Sequence, residues 1–222
     1  MSECVDTTYT CPECGEISEL SMWKSINVTL NPELKPKLLD GSLLTFICPL
    51  CDCNQGVAYP LLYHDQDKRF MVWLMPETDG GPEELNTPEF AKMSALMQGY
   101  RLRVVTTFDR LLEKIFIFDN EMDDRVLELL REVLVNSVFE KHGITYEQLF
   151  YSKVDLTSPD PVIDLTIFFK DQPPKVYIIK GPDGYPRAVE WLHEKLSIPK
   201  EETPYWKTVG QGYLELARGG FG

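Results

Sequence analysis

The sequence predicts an α+β protein built from a small β unit, a helical segment and a C-terminal α/β lobe. Three observations carry this expectation. Strand-like runs dominate up to Pro76, three helical patterns follow as far as Phe139, and strand patterns return after residue 160. All six cysteines fall before residue 54. The charge also breaks, with 24 acidic and 12 basic side chains in residues 1–140 against 11 and 10 in residues 141–222. Such a break suggests a first domain at 1–140 and a C-terminal α+β lobe at 141–222, packed on the first or standing apart.

Met22 to Leu30 reads as a strand, rich in β-branched residues. Asn31-Pro32-Glu33 opens a short helix, with Asn as cap and Pro in the first turn, and Gly41 stops it. Leu43 to Ile47 is a second apolar run. Gly56 to Tyr63 and Phe70 to Met75 read as strands around a polar loop, His64 to Arg69. Residues 77–86 contain Gly80-Gly81-Pro82 and no basic side chain, which reads as an exposed linker.

Thr87-Pro88-Glu89 begins a helix with Phe90, Met93 and Met97 on one face and Gly99 at its end. A short strand, Leu102 to Val105, follows. Thr106 and Asp109 fit a capping box for a helix in which Phe108, Leu111, Leu112, Ile115 and Phe116 recur at helical spacing. The third helix, Asp123 to Phe139, carries an apolar stripe of Val126, Leu127, Leu130, Val133, Leu134 and Val138, with Asp123 and Asp124 at its positive end. Thr145 and Gln148 form a further capping box and predict a helical turn or two. Val162 to Lys170 and Lys175 to Lys180 read as strands, and Pro173-Pro174 between them excludes a two-residue turn. Gly181 to Gly184 is a turn signal, and Pro186 to Leu196 a helix with Val189, Leu192 and Leu196 inward.

Composition excludes several functions. A net charge of −13 argues against a protein wrapped on a phosphate backbone, and so against nucleic acid as a partner. No run of about 18 apolar residues is present, which excludes a spanning helix and a membrane partner of that kind. Met-Ser-Glu-Cys-Val-Asp lacks the basic and apolar regions of a secretory leader, so a cytoplasmic location is expected.

The informative motif is a repeated one. Cys11-Pro-Glu-Cys14-Gly15 and Cys48-Pro-Leu-Cys51-Asp52 are matching Cys-Pro-x-Cys elements with 33 residues between them. A two-residue spacer lets both sulfurs of one turn, or knuckle, face the same ion, and proline pre-sets φ for that turn. Gly15 permits positive φ after the second cysteine, where Asp52 stands in the other knuckle. One such pair fits a redox motif or half a metal site equally well; two with matching prolines favour zinc in a tetrahedral set of Cys11, Cys14, Cys48 and Cys51. The β unit is then zinc-ribbon-like, with a strand–helix–strand insert between the knuckles. Four thiolates leave the ion no open position, which makes its role structural. Cys4 reads as a thiol on a frayed tail and Cys53 as a loop thiol beside the metal.

At these residues the chain resembles the CpXC domain family of prokaryotic proteins. The resemblance extends to Ile26-Asn-Val28, Tyr59 to Asp65 with Phe70 and Pro76, Tyr100 to Val105, Leu112 to Ile115 and Asp123 to Glu128. It spans roughly residues 9–135 and implies a zinc-binding domain of unassigned role. Asp52 departs from the glycine that the family pattern implies.

Other signals carry less. His64-Asp65 suits a loop-ordering pair better than a catalytic dyad, since no nucleophile motif accompanies it. His142 and His193 read as capping or solvated residues, and Trp23, Trp73, Trp191 and Trp206 as packing residues. Pro159-Asp160 opens a nuclease-like pattern whose second half is absent at Asp164-Leu-Thr166. Leu214 to Gly220 reads as a flexible end. The leading expectation is a non-enzymatic interaction module whose acidic part meets a protein of basic or mixed-charge surface. The rival is an enzyme with a site between the zinc portion and the C-terminal lobe, using His64 and nearby carboxylates.

Overall fold

The computed structural model describes residues 1–76, 85–157, 161–181 and 184–210. Most of the expected linker (77–84), Pro159-Asp160, the middle of the Gly181–Gly184 turn and the tail beyond 210 lie outside the described residues, as does the side chain of Met93. The chain is α+β and divides into two compact units: Met1–Leu112 with Glu202–Thr208, and Glu113–Glu201 with Val209–Gly222. The expected boundary near residue 140 rests on a different criterion, the distribution of charge and cysteine. No helix among the described residues is long and apolar enough to cross a membrane.

The first unit is organised by a five-stranded sheet in the order β1-β2-β5-β6-β7. Its strands are β1 (Glu3–Thr10), β2 (Ile17–Asn27), β5 (Leu61–Asp65), β6 (Phe70–Leu74) and β7 (Arg101–Val105). Three of the joins are β1/β2 and β5/β6 hairpins and a parallel β2/β5 pairing, in which Ile26 meets Tyr63. The fourth, β6/β7, is also parallel. Between β2 and β5 the chain forms α1 (Leu34–Leu39), a 3₁₀ turn at Ser42–Leu44, and a small hairpin of β3 (Thr45–Ile47) and β4 (Asn54–Gly56). Between β6 and β7 it forms α2 (Pro88–Met93), whose first turn is capped by Thr87 Oγ1 accepting from the Phe90 amide at 3.1 Å. Ile26, Leu61, Tyr63, Phe70 and Val72 are fully buried, so the β5/β6 hairpin forms the spine of this core.

Several expectations are corrected. β1 was not expected: its side chains are exposed or half-buried, so no apolar alternation marks it. Cys4 therefore belongs to a paired strand, opposite Trp23, and not to a frayed tail. His64 and Asp65 close β5, and the loop is confined to residues 66–69. Asn31 does not cap α1, whose N-cap is Glu33. The cap of α3 (Phe108–Asp119) is Thr107, whose hydroxyl accepts from the Arg110 amide, instead of Thr106. Its neighbour is one residue too early to reach the first free amides of the helix.

The second unit begins within α3. It contains α4 (Asp124–Leu134), which a π-helical turn extends through Phe139, and an antiparallel sheet in the order β10-β9-β8. The strands are β8 (Gln148–Asp155), β9 (Val162–Phe168) and β10 (Lys175–Lys180), followed by α5 (Tyr185–Glu190) with its own π-helical turn. Ile163, Leu165 and Ile167 are buried on one face of β9, as period-two alternation requires. Thr145 and Gln148 open no helix; Gln148 begins β8, where Leu149 and Tyr151 point inward. Val126, Leu129, Ala188, Leu192 and Ile198 form one apolar cluster.

α4 buries Val126 and Leu127 of the expected apolar stripe, and buries charge beside them. Val133 is 52% exposed, whereas Asp124, Arg125, Glu128 and Arg131 are buried. The reason lies on α3. Glu113 and Lys114 face this helix, with Arg131 Nη2 2.5 Å from Glu113 Oε1 and Lys114 Nζ 2.6 Å from Asp124 Oδ2. Glu113 also accepts from the Tyr151 amide at 3.2 Å, and Arg131 Nη1 is 3.1 Å from Glu128. These neighbours hold the Arg131 guanidinium above its usual range against the opposing effect of burial.

Removing one member of such a network strands the others. Glu113→Ala is expected to cost about 3–5 kcal/mol in a denaturant titration. Lys24→Ala breaks a pair with Glu3 whose side chains are both 61% exposed, and is expected to change stability by less than about 1 kcal/mol. Equal effects would contradict the buried-network account.

Candidate metal centre

Each Cys-Pro-x-Cys element is the loop of a hairpin. Cys11–Glu16 joins β1 to β2, and Cys48–Cys53 joins β3 to β4. The two loops repeat the same backbone bonds. The Cys11 amide donates to Glu16 O at 2.8 Å and the Gly15 amide to Cys11 O at 3.0 Å. In the second loop the Cys48 amide donates to Cys53 O at 2.9 Å and the Asp52 amide to Cys48 O at 3.0 Å. Gly15 has φ +75° and Asp52 φ +56°. The aspartate thus adopts the left-handed backbone that glycine supplies in the first loop, a conformation that short polar side chains tolerate better than most.

The hairpins bring all four predicted sulfurs within 4.8 Å of one another. The close approaches run between the loops: Cys11 Sγ to Cys51 Sγ is 3.7 Å and Cys14 Sγ to Cys48 Sγ is 3.6 Å. A disulfide requires about 2.05 Å, and all six cysteines are free thiols. Cys11 and Cys48 are buried while Cys14 and Cys51 are exposed, so each loop contributes one inner and one outer sulfur. Phe46 packs with Cys11 and Cys48, flanked by Tyr9, Leu20, Cys53 and Val57.

The electrostatics of the cluster are compatible with a cation. The Cys14 amide, against burial and with help from the Glu13 amide, brings the Cys11 thiol down to about 6. At Cys51 the Cys53 amide favours the thiolate. Hydrogen bonding with Cys14, burial and the Cys48 and Cys11 thiols outweigh it and push the group up to about 12. One thiol ionises readily and a neighbour resists, because like charges at this spacing repel. A divalent ion among them reverses that balance and favours the thiolate at every position. The donor set and its spacing therefore suit a metal ion.

The remaining candidates are placed apart from this cluster. His64 is half-buried and faces Asn27, whose Nδ2 is 3.5 Å from its Nδ1, and Tyr100, whose hydroxyl is 3.4 Å from its Nε2. Asn27 Oδ1 accepts from the Leu30 amide, which orients Nδ2 as a donor and leaves His64 Nδ1 the acceptor. Burial lowers the His64 pKa in keeping with that neutral form. Asp65, from the other face of β5, accepts from the Lys68 amide and lies 3.9 Å from Lys35 Nζ. The two side chains serve different partners. His193 Nδ1 contacts Ile198 O at 2.7 Å as a helix-end cap, and His142 is exposed. Trp73 and Trp206 pack edge-on at 5.4 Å, while Trp191 is 40% exposed.

The repeated loop geometry predicts opposite effects of two substitutions. Gly15→Ala, at positive φ with open space around the new Cβ, is expected to destabilise the chain by about 1 kcal/mol through backbone strain alone. Asp52→Gly is expected to be neutral or stabilising by up to about 1 kcal/mol. Thermal unfolding of both proteins checks the pair, and a loss of stability in Asp52→Gly equal to that of Gly15→Ala would contradict the shared loop geometry.

No curated protein and no solved structure matches this chain. A family described as CpXC protein matches residues 9–131, a stretch that holds both cysteine loops, four strands of the five-stranded sheet with the end of β1, and the charged face of α4. Covering more than half of the sequence, that match identifies the chain as a member of the CpXC family.

Proposed function

We propose that Cys11, Cys14, Cys48 and Cys51 hold one structural Zn²⁺ ion and that the protein acts as a non-enzymatic interaction module. The observation that carries the metal reading is the sulfur spacing. Four sulfurs about 2.3 Å from a central zinc lie about 3.8 Å from each other, close to the 3.6 and 3.7 Å found between the loops. Zinc bound by four thiolates has no position for water, so its contribution is to the fold. The β3–β4 hairpin, three residues to a strand, is too small to persist alone, and an ion shared with the β1–β2 loop supports it. Thiol ligation also favours a reducing compartment, which supports a cytoplasmic location.

The charge distribution supports the interaction reading. Residues 1–140 carry a net −12, and four thiolates around one Zn²⁺ add −2 to that part. Glu13, Glu19 and Asp52 are exposed around the loops. Such a surface repels phosphate and favours a protein of basic or mixed-charge surface. In this reading residues 1–140 are the metal-bearing domain and 141–222 a lobe appended to it.

Protein purified under reducing conditions is expected to contain about one zinc per chain by elemental analysis. Cys48→Ser is expected to lose the zinc and unfold the β3–β4 hairpin, since binding at such sites supplies about 10–16 kcal/mol. Absence of zinc from the native protein would overturn the reading. For the partner, affinity capture from native cells at low and high salt is expected to retain basic proteins at low salt only. Capture of nucleic acid, or of no protein at either salt concentration, would contradict the interaction reading.

A further inference from the structure

Residues 202–208 complete a sheet formed far earlier in the chain. They belong to the first compact unit although residues 113–201 of the second intervene. After a bend in which the Tyr205 amide donates to Thr203 O at 2.8 Å, the segment makes one parallel bridge, Lys207 to Arg103, on β7, the last strand of the sheet. The Lys207 amide donates to Leu102 O at 3.3 Å, and Lys207 O accepts from the Val104 amide at 2.9 Å. Trp206 is buried with Met71, Leu102 and Val104, its ring 5.4 Å from Trp73 and 6.2 Å from Phe90. Asn86 engages the tryptophan backbone on both sides. Its Oδ1 accepts from the Trp206 amide at 2.8 Å, and its Nδ2 donates to Trp206 O at 3.0 Å. Arg103, whose side chain is fully buried, donates to both oxygens of Glu202 at 2.6 and 3.4 Å.

These are the parts of a peptide-recognition site. A sheet edge supplies main-chain bonds, a pocket selects one side chain, and polar groups fix the register. A guanidinium buried this deeply, here also donating to Leu102 O at 3.1 Å, favours a carboxylate on the ligand. We propose that the β7 edge, Asn86, Arg103 and the pocket lined by Trp73 and Phe90 form a docking site for a peptide that bears a glutamate four residues before a tryptophan and bends between them. The chain's own 202–208 segment is its resident ligand. The site is separate from the cysteine cluster and does not rest on the metal reading. A tethered segment competes intramolecularly for its site, so a peptide in solution reaches the site only when the resident segment is weakened or released.

The test uses the full chain with Trp206→Ala and a fluorescently labelled synthetic peptide of residues 201–210. Fluorescence anisotropy is expected to show at least tenfold tighter binding to this variant than to the native chain. The same peptide with its glutamate at position 202 replaced by alanine is expected to bind at least tenfold more weakly. Equal binding to variant and native chain, or no binding to a variant that keeps native circular dichroism, overturns the proposal. Should the variant fail to fold, the native chain carrying a protease site inserted after Lys200 is cut once purified. The released fragment is then expected to remain bound and to exchange for excess labelled peptide. A folded, nicked chain that never exchanges its fragment overturns the proposal.

Discussion

Four thiol sulfurs held within 4.8 Å of each other form the constraint on which the cysteine-bearing part of the molecule depends. They come from two loops of matching backbone, one in a hairpin of the five-stranded sheet and the other in a two-stranded hairpin of three-residue strands. The larger hairpin continues into the core through Ile26 and Asn27. The smaller one buries chiefly Phe46 and Cys48, little apolar surface for a chain segment that must be ordered. Without a cation the cluster gathers groups that cannot all ionise. With one, in the proposed reading, the same groups bind the small hairpin to the large one.

The parts of this fold that were legible in sequence are those whose own side chains carry the signal. β5, β6 and β9 bury Leu61, Tyr63, Phe70, Val72, Ile163 and Leu165, and their β-branched and aromatic runs announce strands. β1 buries nothing and is held by backbone pairing with β2, so no hydrophobic pattern could reveal it. The signal that could have found it is the knuckle itself, a tight loop that needs a strand on either side. At Thr145–Gln148 the reverse occurs: a local capping pattern is present, but Leu149 and Tyr151 alternate into a core and the tertiary structure prevails. The burial of charge on α4 has no local signal either, since its partners Glu113 and Lys114 lie on another helix.

The same distinction governs the sites. Cysteine spacing is a local property, and it identified the four sulfurs together. Which sulfur approaches which depends on two hairpins separated by 33 residues, and the cross-loop pairs Cys11–Cys51 and Cys14–Cys48 had no counterpart in the sequence pattern. Arg103 and Glu202 are 99 residues apart. Nothing near either residue marks the other, and Trp206 reads only as one aromatic among four. The buried arginine and the carboxylate pair at 2.6 Å, and together they tie a late segment of the chain to the edge of an early sheet.

Membership of the CpXC family and a cluster of four sulfurs that could hold a metal ion are the two findings on which the proposed structural centre rests. That one zinc ion is held by these four sulfurs is the central proposal, and X-ray absorption at the zinc edge of the purified protein tests it most directly. The account predicts a single shell of four sulfur scatterers at about 2.3 Å. A shell containing nitrogen or oxygen at about 2.0–2.1 Å would mean that at least one of the four cysteines is not a ligand, and would contradict it.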